Sequence, residues 1–408
     1  MIYKPRVVIM GLGYIGLPTA ALIASKGIVV RGVDVNPDVV KTVNEGKIHI
    51  TEPDLEGLVK YNVEKGYLRA DTKPTEADVF IIAVPTPFKE RYKPDISYVE
   101  SAVNMILPYL KVGNLIVIES TIPVGTTEEL AKILFTRRDE LKDKVYIAYC
   151  PERVLPGRIL YEIEHNDRVI GGLDDKSTDK AKEFYALFVK GRLYGTDTKT
   201  AEMCKLVENA YRDVNIAFAN ELSMICDEAK INVWELIELA NKHPRVNILS
   251  PGVGVGGHCI AVDPWFIISS FKEKAKLIEM ARKVNRDKTE WVVNKIKEEI
   301  EKFKRKQKRE PVIACMGLTY KPDIDDLRES PALKITYQLM QEGFRILAVE
   351  PHIDGLEKIK LVDYRKAIEK ADIIVFMVKH RKFMDLKVDS QKLVIDFCGI
   401  LENGRDKN

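Results

Sequence analysis

The chain has 408 residues, 46% of them hydrophobic and 31% charged, a length that exceeds one ordinary core and calls for two or three domains. Lys+Arg 64 against Asp+Glu 61 leave a net charge of only +3, and no apolar run approaches a bilayer span, so neither a nucleic-acid footprint nor a membrane partner is expected. The six cysteines, at 150, 204, 226, 259, 315 and 398, contain no C-x-x-C pair; this excludes the common zinc spacing and, with no export signal at the start, points to a cytoplasmic protein without metal.

In chain order, the β-branched run Val7-Val8-Ile9-Met10 leads straight into Gly11-Leu12-Gly13-Tyr14-Ile15-Gly16 and an Ala-rich helical pattern. This is G-x-G-x-x-G in its required setting, between a strand and a helix whose N–H groups favour an anion. A second strand ends at Asp34, near the ~20-residue spacing at which an acid binds ribose hydroxyls. A carboxylate there would repel a ribose phosphate, so NAD is expected over NADP. Further strands are predicted at 79–84, 115–119 and 145–149, which together make a doubly wound parallel sheet. Ligands bind beyond the carboxyl ends of such strands, so Gly11, Asp34, Thr86, Thr121 and Glu152 are expected along one crevice. Each also has an ordinary reading, Thr as a turn or cap residue and Glu as a surface carboxylate.

One long helix is predicted from Thr200 to Lys230, with Lys205 and Asn209 four apart on one face, and a second from Val233 to Asn241. After Lys242-His243-Pro244-Arg245 comes Ser250-Pro251-Gly252-Val253-Gly254-Val255-Gly256-Gly257-His258-Cys259, with Asp263 beyond. So many glycines suggest a turn whose backbone lies close to a bound molecule and presents Cys259 for reaction. A buried, inert cysteine after a Gly-rich connection is the competing reading. More helix follows Asp263, and the charged run Lys302 to Arg309 reads as a solvated linker rather than a nucleic-acid patch. A parallel-sheet pattern then restarts, with strands at 311–318, 345–349, 373–378 and 394–396 and a helix over 332–341. Its first turn, Gly317-Leu318-Thr319-Tyr320-Lys321, lacks the dinucleotide pattern, while Lys321 and Arg328 at its mouth suit phosphates.

These residues assembled, the chain resembles the UDP-sugar 6-dehydrogenases, within the UDP-glucose/GDP-mannose dehydrogenase superfamily. The resemblance rests on Gly11 to Gly16, Val84-Pro85-Thr86-Pro87, Glu119 to Gly125, Lys205 to Asn209, Gly256-Gly257-His258-Cys259 with Asp263, and Thr319-Tyr320-Lys321 through Ser330. It implies two Rossmann-like α/β domains, an NAD-binding one over 1–199 and a UDP-sugar-binding one over 301–408, joined by a central helical dimerisation region over 200–300. It also implies a reaction in which NAD oxidises the sugar's 6-hydroxyl to a carboxylate, with Cys259 passing through a thiohemiacetal and a thioester. By the same resemblance Lys205 and Asn209 stabilise oxyanions, Thr121 and Asp263 position a water, and Glu152 assists hydrolysis. Gly11, Gly13, Tyr14, Ile15, Gly16, Asp34, Thr86, Thr121 and Arg328 fall at cofactor positions. Glu152, Arg153, Val154, Lys205, Asn209, Arg212, Arg245, Gly256, His258, Tyr320 and Lys321 fall at substrate positions. A homodimer or dimer of dimers is implied, with Arg245 reaching the neighbouring subunit's site; an Arg capping its own preceding helix is the simpler alternative.

Departures from the glucose enzymes bear on the sugar. Ile260-Ala261-Val262 replaces their Leu-Pro-Lys, and Pro156-Gly157 stands where they carry a second Glu. With His258 and Pro264-Trp265-Phe266, these residues resemble the N-acetylhexosamine branch, and Ala261-Val262-Asp263-Pro264-Trp265 its UDP-N-acetyl-D-mannosamine members. UDP-N-acetylglucosamine and UDP-glucose are the alternative substrates. A two-electron hydroxyacid dehydrogenase and a non-catalytic NAD-binding module are the alternatives of other classes.

Overall fold

The computed structural model describes residues 4–89, 93–155 and 157–401, so Pro156, one of the departures just noted, lies outside the described residues. The chain forms two compact units, one running to Glu208 and including Trp265–Ser270, the other made of Asn209–Pro264 and the chain from Phe271 onward.

The first unit is an α/β sandwich on an eight-stranded sheet of order β10-β9-β8-β7-β4-β1-β2-β3. Its elements are β1 (Val7–Met10), α1 (Gly16–Ser25), β2 (Val30–Val33), α2 (Pro37–Asn44), α3 (Leu55–Glu64), β3 (Leu68–Asp71), β4 (Val79–Ile82), a hairpin of β5 (Phe88–Lys89) and β6 (Lys93–Pro94), α4 (Ser97–Ile106), β7 (Leu115–Ile118), α5 (Thr126–Arg137), β8 (Tyr146–Tyr149), α6 (Ile159–His165), β9 (Arg168–Gly172), α7 (Asp175–Tyr185) and β10 (Leu193–Asp197). Side chains alternate across a strand, so a buried apolar run feeds two cores at once. Val7 and Ile9 join the core that holds Leu17 of α1 and Tyr185 of α7, whereas Val8 and Met10 join the core that holds Val99 of α4 and Leu130 of α5. Strand order reverses between β1 and β4, the switch point that opens a crevice at the carboxyl ends. β3, β9 and β10 were not expected. β9 pairs antiparallel with β8, and its Gly171 lies so close to β10 that a Cβ there would sit 2.2 Å from the Asp197 carbonyl oxygen.

α8 (Thr198–Ala229) starts in the first unit and continues into the second, followed by α9 (Val233–Ala240), α10 (Asp263–Ser270) and α11 (Lys276–Gln307). The second unit's sheet has order β12-β11-β13-β14, all parallel, built from β11 (Val312–Met316), β12 (Arg345–Val349), β13 (Ile373–Phe376) and β14 (Leu393–Asp396), with α12 (Pro331–Gln341) and α13 (Tyr364–Lys370) as crossovers. The same alternation operates here: Ile313 and Cys315 enter the core with Val292 of α11, Ala314 and Met316 the core with Ala367 of α13. The charged run from Lys302 is a correction to the expected linker, because through Gln307 it forms the last turns of α11. Phe303 packs on the core and Lys302–Glu299 and Lys304–Glu301 pair three residues apart at 2.6 and 3.3 Å, so an amphipathic helix outweighs charge repulsion. No described helix is long and apolar enough to cross a membrane.

Candidate active site

The turn after β1 is set by three glycines with different jobs. Gly11 has φ of 92° and faces the Ala83 carbonyl, and a Cβ on Gly16 would sit 1.8 Å from the Gly11 carbonyl oxygen, so both positions exclude side chains through the chain's own packing. Gly13 is exposed, and nothing lies within 4 Å of where its Cβ would be. That open face, flanked by exposed Tyr14 and by Ile15 at the helix cap, fronts the start of α1, where N–H groups favour a pyrophosphate. Asp34 takes the Leu12 N–H on Oδ2 at 3.0 Å and the Asn36 N–H on Oδ1 at 2.9 Å, yet stays half-buried, so its remaining lone pairs can accept ribose hydroxyls. The donors and the open glycine fit a dinucleotide.

Along the same sheet edge, Thr86 follows β4, Thr121 follows β7 and Glu152 follows β8. Ser120 is buried and donates to the Val84 carbonyl at 2.7 Å, which ties the Thr121 turn to the Thr86 segment. Glu202 of α8 accepts the N–H groups of Gly125 and Thr127 at 2.5 and 2.8 Å and so caps α5, fixing that turn against the helix that carries Lys205. Lys205 Nζ donates to the Glu152 carbonyl at 2.8 Å. The Glu152 carboxylate is only 7% exposed: Oε2 pairs with Arg168 at 2.7 Å and Oε1 takes the Arg153 N–H at 2.7 Å. Both Glu152 carboxylate oxygens thus have a donor within the chain, and what Glu152 offers Lys205 is its carbonyl. Arg153 pairs with Glu208 at 2.7 Å and with the Asp167 carbonyl, and Val154 packs on the first core.

In the second unit, Asn209 Nδ2 donates to Asp263 Oδ2 at 2.6 Å, and Asp263 is 3% exposed. Cys259 sits in the turn that starts α10, its carbonyl accepting the N–H groups of Val262 and Asp263 at 2.9 and 2.8 Å. The thiol is partly buried, not sealed in a core. Of the four glycines before it only Gly252 has open space beside it; the other three, contrary to expectation, are packed against neighbours. A Cβ on Gly256 would meet the Glu329 carbonyl oxygen at 2.6 Å, one on Gly257 the Tyr320 ring at 2.8 Å, and one on Gly254 the Thr289 hydroxyl at 2.5 Å. They let the loop press onto Tyr320, with Gly257 N–H donating to the Arg328 carbonyl at 2.9 Å. Burial raises the Tyr320 phenol above its usual range, with Asp326 and Cys259 adding to the shift and Arg328 and Arg212 opposing it, so these groups share one neighbourhood. Burial would push Asp326 up, but Arg328, bonded to it at 2.6 Å, and nearby His258 hold its carboxyl below the carboxylate range. Lys321 and Arg212 are exposed, as is Arg245, whose N–H donates to His243 Nδ1 at 3.3 Å.

The residues that sequence reasoning missed are buried and charged. Beneath the Cys150–Val154 loop, Arg168 of β9 joins Glu152, Cys150 and the Tyr185 ring, and Tyr185 donates to Glu119 at 2.5 Å. Burial, opposed by Arg168 and reinforced by Glu152, pushes Glu119 up to about 7. In the second unit burial brings the Lys288 ammonium, bonded to Ser223 at 2.8 Å, down to about 7. Asp323, His352 and His380 form the one group, among the described residues, whose potential metal-donor atoms lie within 4.8 Å of one another. His380 Nδ1 accepts the Asp323 N–H at 3.0 Å, so Nε2 carries the proton that faces Glu350 at 3.1 Å. Both His380 ring nitrogens are thus in hydrogen bonds, whereas the buried His352 Nε2 has no hydrogen-bond partner.

Comparison with known proteins agrees along the chain. Models of the UDP-glucose/GDP-mannose dehydrogenase family match residues 5–189 (NAD binding domain), 199–287 (central domain) and 314–403 (UDP binding domain). The chain is 52% identical to an NDP-N-acetyl-D-galactosaminuronic acid dehydrogenase of Ralstonia nicotianae, over 96% of this chain and 95% of the relative. It is also 52% identical to a UDP-N-acetyl-D-mannosamine dehydrogenase of Campylobacter jejuni, over 96% and 99%. Among solved structures, the UDP-D-ManNAc dehydrogenase of Pyrococcus horikoshii superposes with a TM-score of 0.87 at 38% identity, over 99% of this chain and 96% of that one.

Proposed function

Because the chain belongs to the UDP-glucose/GDP-mannose dehydrogenase family, an NAD-dependent family of nucleotide-sugar oxidoreductases, we propose that its substrate is UDP-N-acetyl-D-mannosamine and its product the corresponding uronate. The observation that carries the choice of sugar is the Ile260-Ala261-Val262-Asp263-Pro264-Trp265 stretch beside the thiol, in a chain 52% identical to the Campylobacter enzyme. The equal identity to the Ralstonia relative favours a second reading, a nucleotide-linked N-acetylgalactosamine.

NAD would supply the oxidising power, two molecules bound in turn each accepting one hydride, the first from the alcohol and the second from the thiohemiacetal carbon. The chain supplies the rest. Cys259 Sγ adds to the aldehyde carbon, which holds the intermediate against escape until oxidation leaves a thioester; water then cleaves it and releases the thiol. Lys205 and Asn209 stabilise the oxyanions by fixed donors, an ammonium and an amide. Thr121 and Asp263 position the water, and Asp263 is already oriented by Asn209 at 2.6 Å. Gly11, Gly13, Tyr14, Ile15, Gly16, Asp34, Thr86 and Arg328 serve the cofactor. Arg153, Val154, Arg212, Gly256, His258, Tyr320 and Lys321 serve the nucleotide sugar, whose diphosphate suits the cations. The N-terminal, central and C-terminal stretches thus divide into cofactor, dimer and UDP-sugar functions.

The partner is a second copy. Tyr211, Phe218 and Ile225 of α8 recur every seventh residue and are 71%, 51% and 53% exposed, an apolar stripe that an isologous pairing covers, and Arg245 then serves the neighbouring site. NAD and UDP-sugars are cytoplasmic solutes, and the protein is placed there. The deciding test gives purified protein NAD with the UDP-linked N-acetyl forms of mannosamine, glucosamine and galactosamine, and with UDP-glucose. The mannosamine sugar should win in kcat/KM by about tenfold or more; preference for another overturns the assignment.

A further inference from the structure

Lys205 sits about two turns into α8 and has a long flexible stem, so its placement depends on the group that receives it. That group is a peptide carbonyl, Glu152 O at 2.8 Å, in a loop without regular secondary structure. Loop carbonyls hold a fixed direction only where side chains pin them. Here the pin is the residue's own carboxylate, which reaches down to Arg168 Nη2 at 2.7 Å while taking the Arg153 N–H on its other oxygen.

Arg168 is itself held through both terminal nitrogens, while its buried Nε has no hydrogen-bond partner. It is 3% exposed at the start of β9, its Nη2 also reaches the Ile163 carbonyl at 3.3 Å, Nη1 reaches Cys150 Sγ at 3.9 Å, and its guanidinium lies 5.2 Å from the Tyr185 ring centroid. β9 is the strand that turns antiparallel to β8, and this reversal brings Arg168 beneath the loop that follows β8. We propose that Arg168 is the positioning residue for Lys205: it anchors the Glu152 carboxylate, the anchored residue aims its carbonyl, and the carbonyl sets the ammonium. The proposal rests on the assignment of Lys205 to oxyanion stabilisation made above. It gives β9 a task in the chemistry and gives the Glu152 side chain a role other than base. Arg is suited to this because its guanidinium stays charged when buried and its two terminal nitrogens reach Glu152, the Ile163 carbonyl and Cys150 Sγ together.

The test is a double-mutant cycle on the intact enzyme, with Arg168→Gln and Lys205→Gln made singly and together, measuring kcat and the KM values for NAD and sugar. Arg168→Gln should lower kcat roughly ten- to a hundredfold with less than about a threefold change in KM for NAD, and should have almost no further effect once Lys205 is Gln. An equal fold-loss in both backgrounds would show a merely structural role and overturn the proposal. Should Arg168→Gln not fold, Arg168→Lys, which keeps the charge that the buried carboxylates need, carries the same cycle with the same two outcomes. Lys205→Gln alone checks the underlying assignment: unchanged kcat there would sink the role of Lys205 itself, whereas a large loss without coupling sinks only Arg168.

Discussion

The two βαβ crossovers that open the two sheets begin alike and part at the third residue. In each, a glycine with positive φ follows the first strand and donates to the last residue of the second: Gly11 (φ 92°) to Val33 at 2.7 Å, Gly317 (φ 89°) to Val349 at 2.9 Å. In each, the next leucine donates to the acid that ends the second strand, Leu12 to Asp34 at 3.0 Å and Leu318 to Glu350 at 2.8 Å. The residue two beyond the acid returns an N–H to its other oxygen, Asn36 at 2.9 Å and His352 at 3.0 Å. After that the first turn has bare Gly13 and enters α1 at Gly16, while the second has Thr319, whose N–H also goes to Glu350 at 3.1 Å, and reaches no helix until Pro331. His380 then covers the acid. One framework thus leaves an acid half open in the first unit and seals it, at 4% exposure, as a structural keystone in the second.

Removing each acid breaks the comparison most directly. Glu350→Ala strands the N–H groups of Leu318, Thr319 and His352 and the His380 proton, and should cost about 3 kcal/mol or more, seen by calorimetry as an early unfolding transition. Asp34→Ala should leave that transition nearly in place while raising the NAD Kd by roughly ten- to a hundredfold and eroding discrimination against NADP. Equal stability losses would mean that the two acids do the same work.

A smaller effect sharpens the contrast between glycines. Gly13→Ala meets nothing and should change stability by less than about 0.5 kcal/mol, yet weaken NAD binding about tenfold, because the added methyl stands where a pyrophosphate approaches. Calorimetry and an NAD titration on the one variant check both halves.

Two further slopes with pH run in opposite directions in the two units. Glu119 is raised from 4.5 to about 7, so the folded state holds its proton more tightly than the unfolded chain; its contribution is complete below about 4.5 and is lost as pH rises through about 7. Lys288 is lowered from 10.5 to about 7, so its contribution is complete above about 10.5 and is lost as pH falls through about 7. Glu119→Gln should flatten the acidic-side slope and Lys288→Met the basic-side one, each read from unfolding midpoints against pH.

Much of this was legible because the relevant signals are local. The apolar runs of β1, β4, β7 and β11 sit between turn residues, and Gly11 to Gly16 with Asp34 encodes its own geometry. What stayed hidden depends on pairing at a distance. Nothing local in Asn166-Asp167-Arg168 marks Arg168, and only β9 turning back along β8 makes it an internal cation. The glycines before Cys259 look like an open loop because sequence does not show Tyr320 pressing on them. Lys302 to Gln307 looked like a linker because its charge hides the single apolar position, Phe303, that docks the last turns of α11.

A four-electron oxidation through Cys259 requires two NADH per sugar, and counting them decides between that route and a two-electron one. With UDP-N-acetyl-D-mannosamine limiting and NAD in excess, the wild-type chain should form two NADH for each sugar consumed and release the uronate, and Cys259→Ser should bind NAD normally but fail to complete turnover. One NADH per sugar with free aldehyde as product, or wild-type turnover by the Ser variant, would contradict the thioester route.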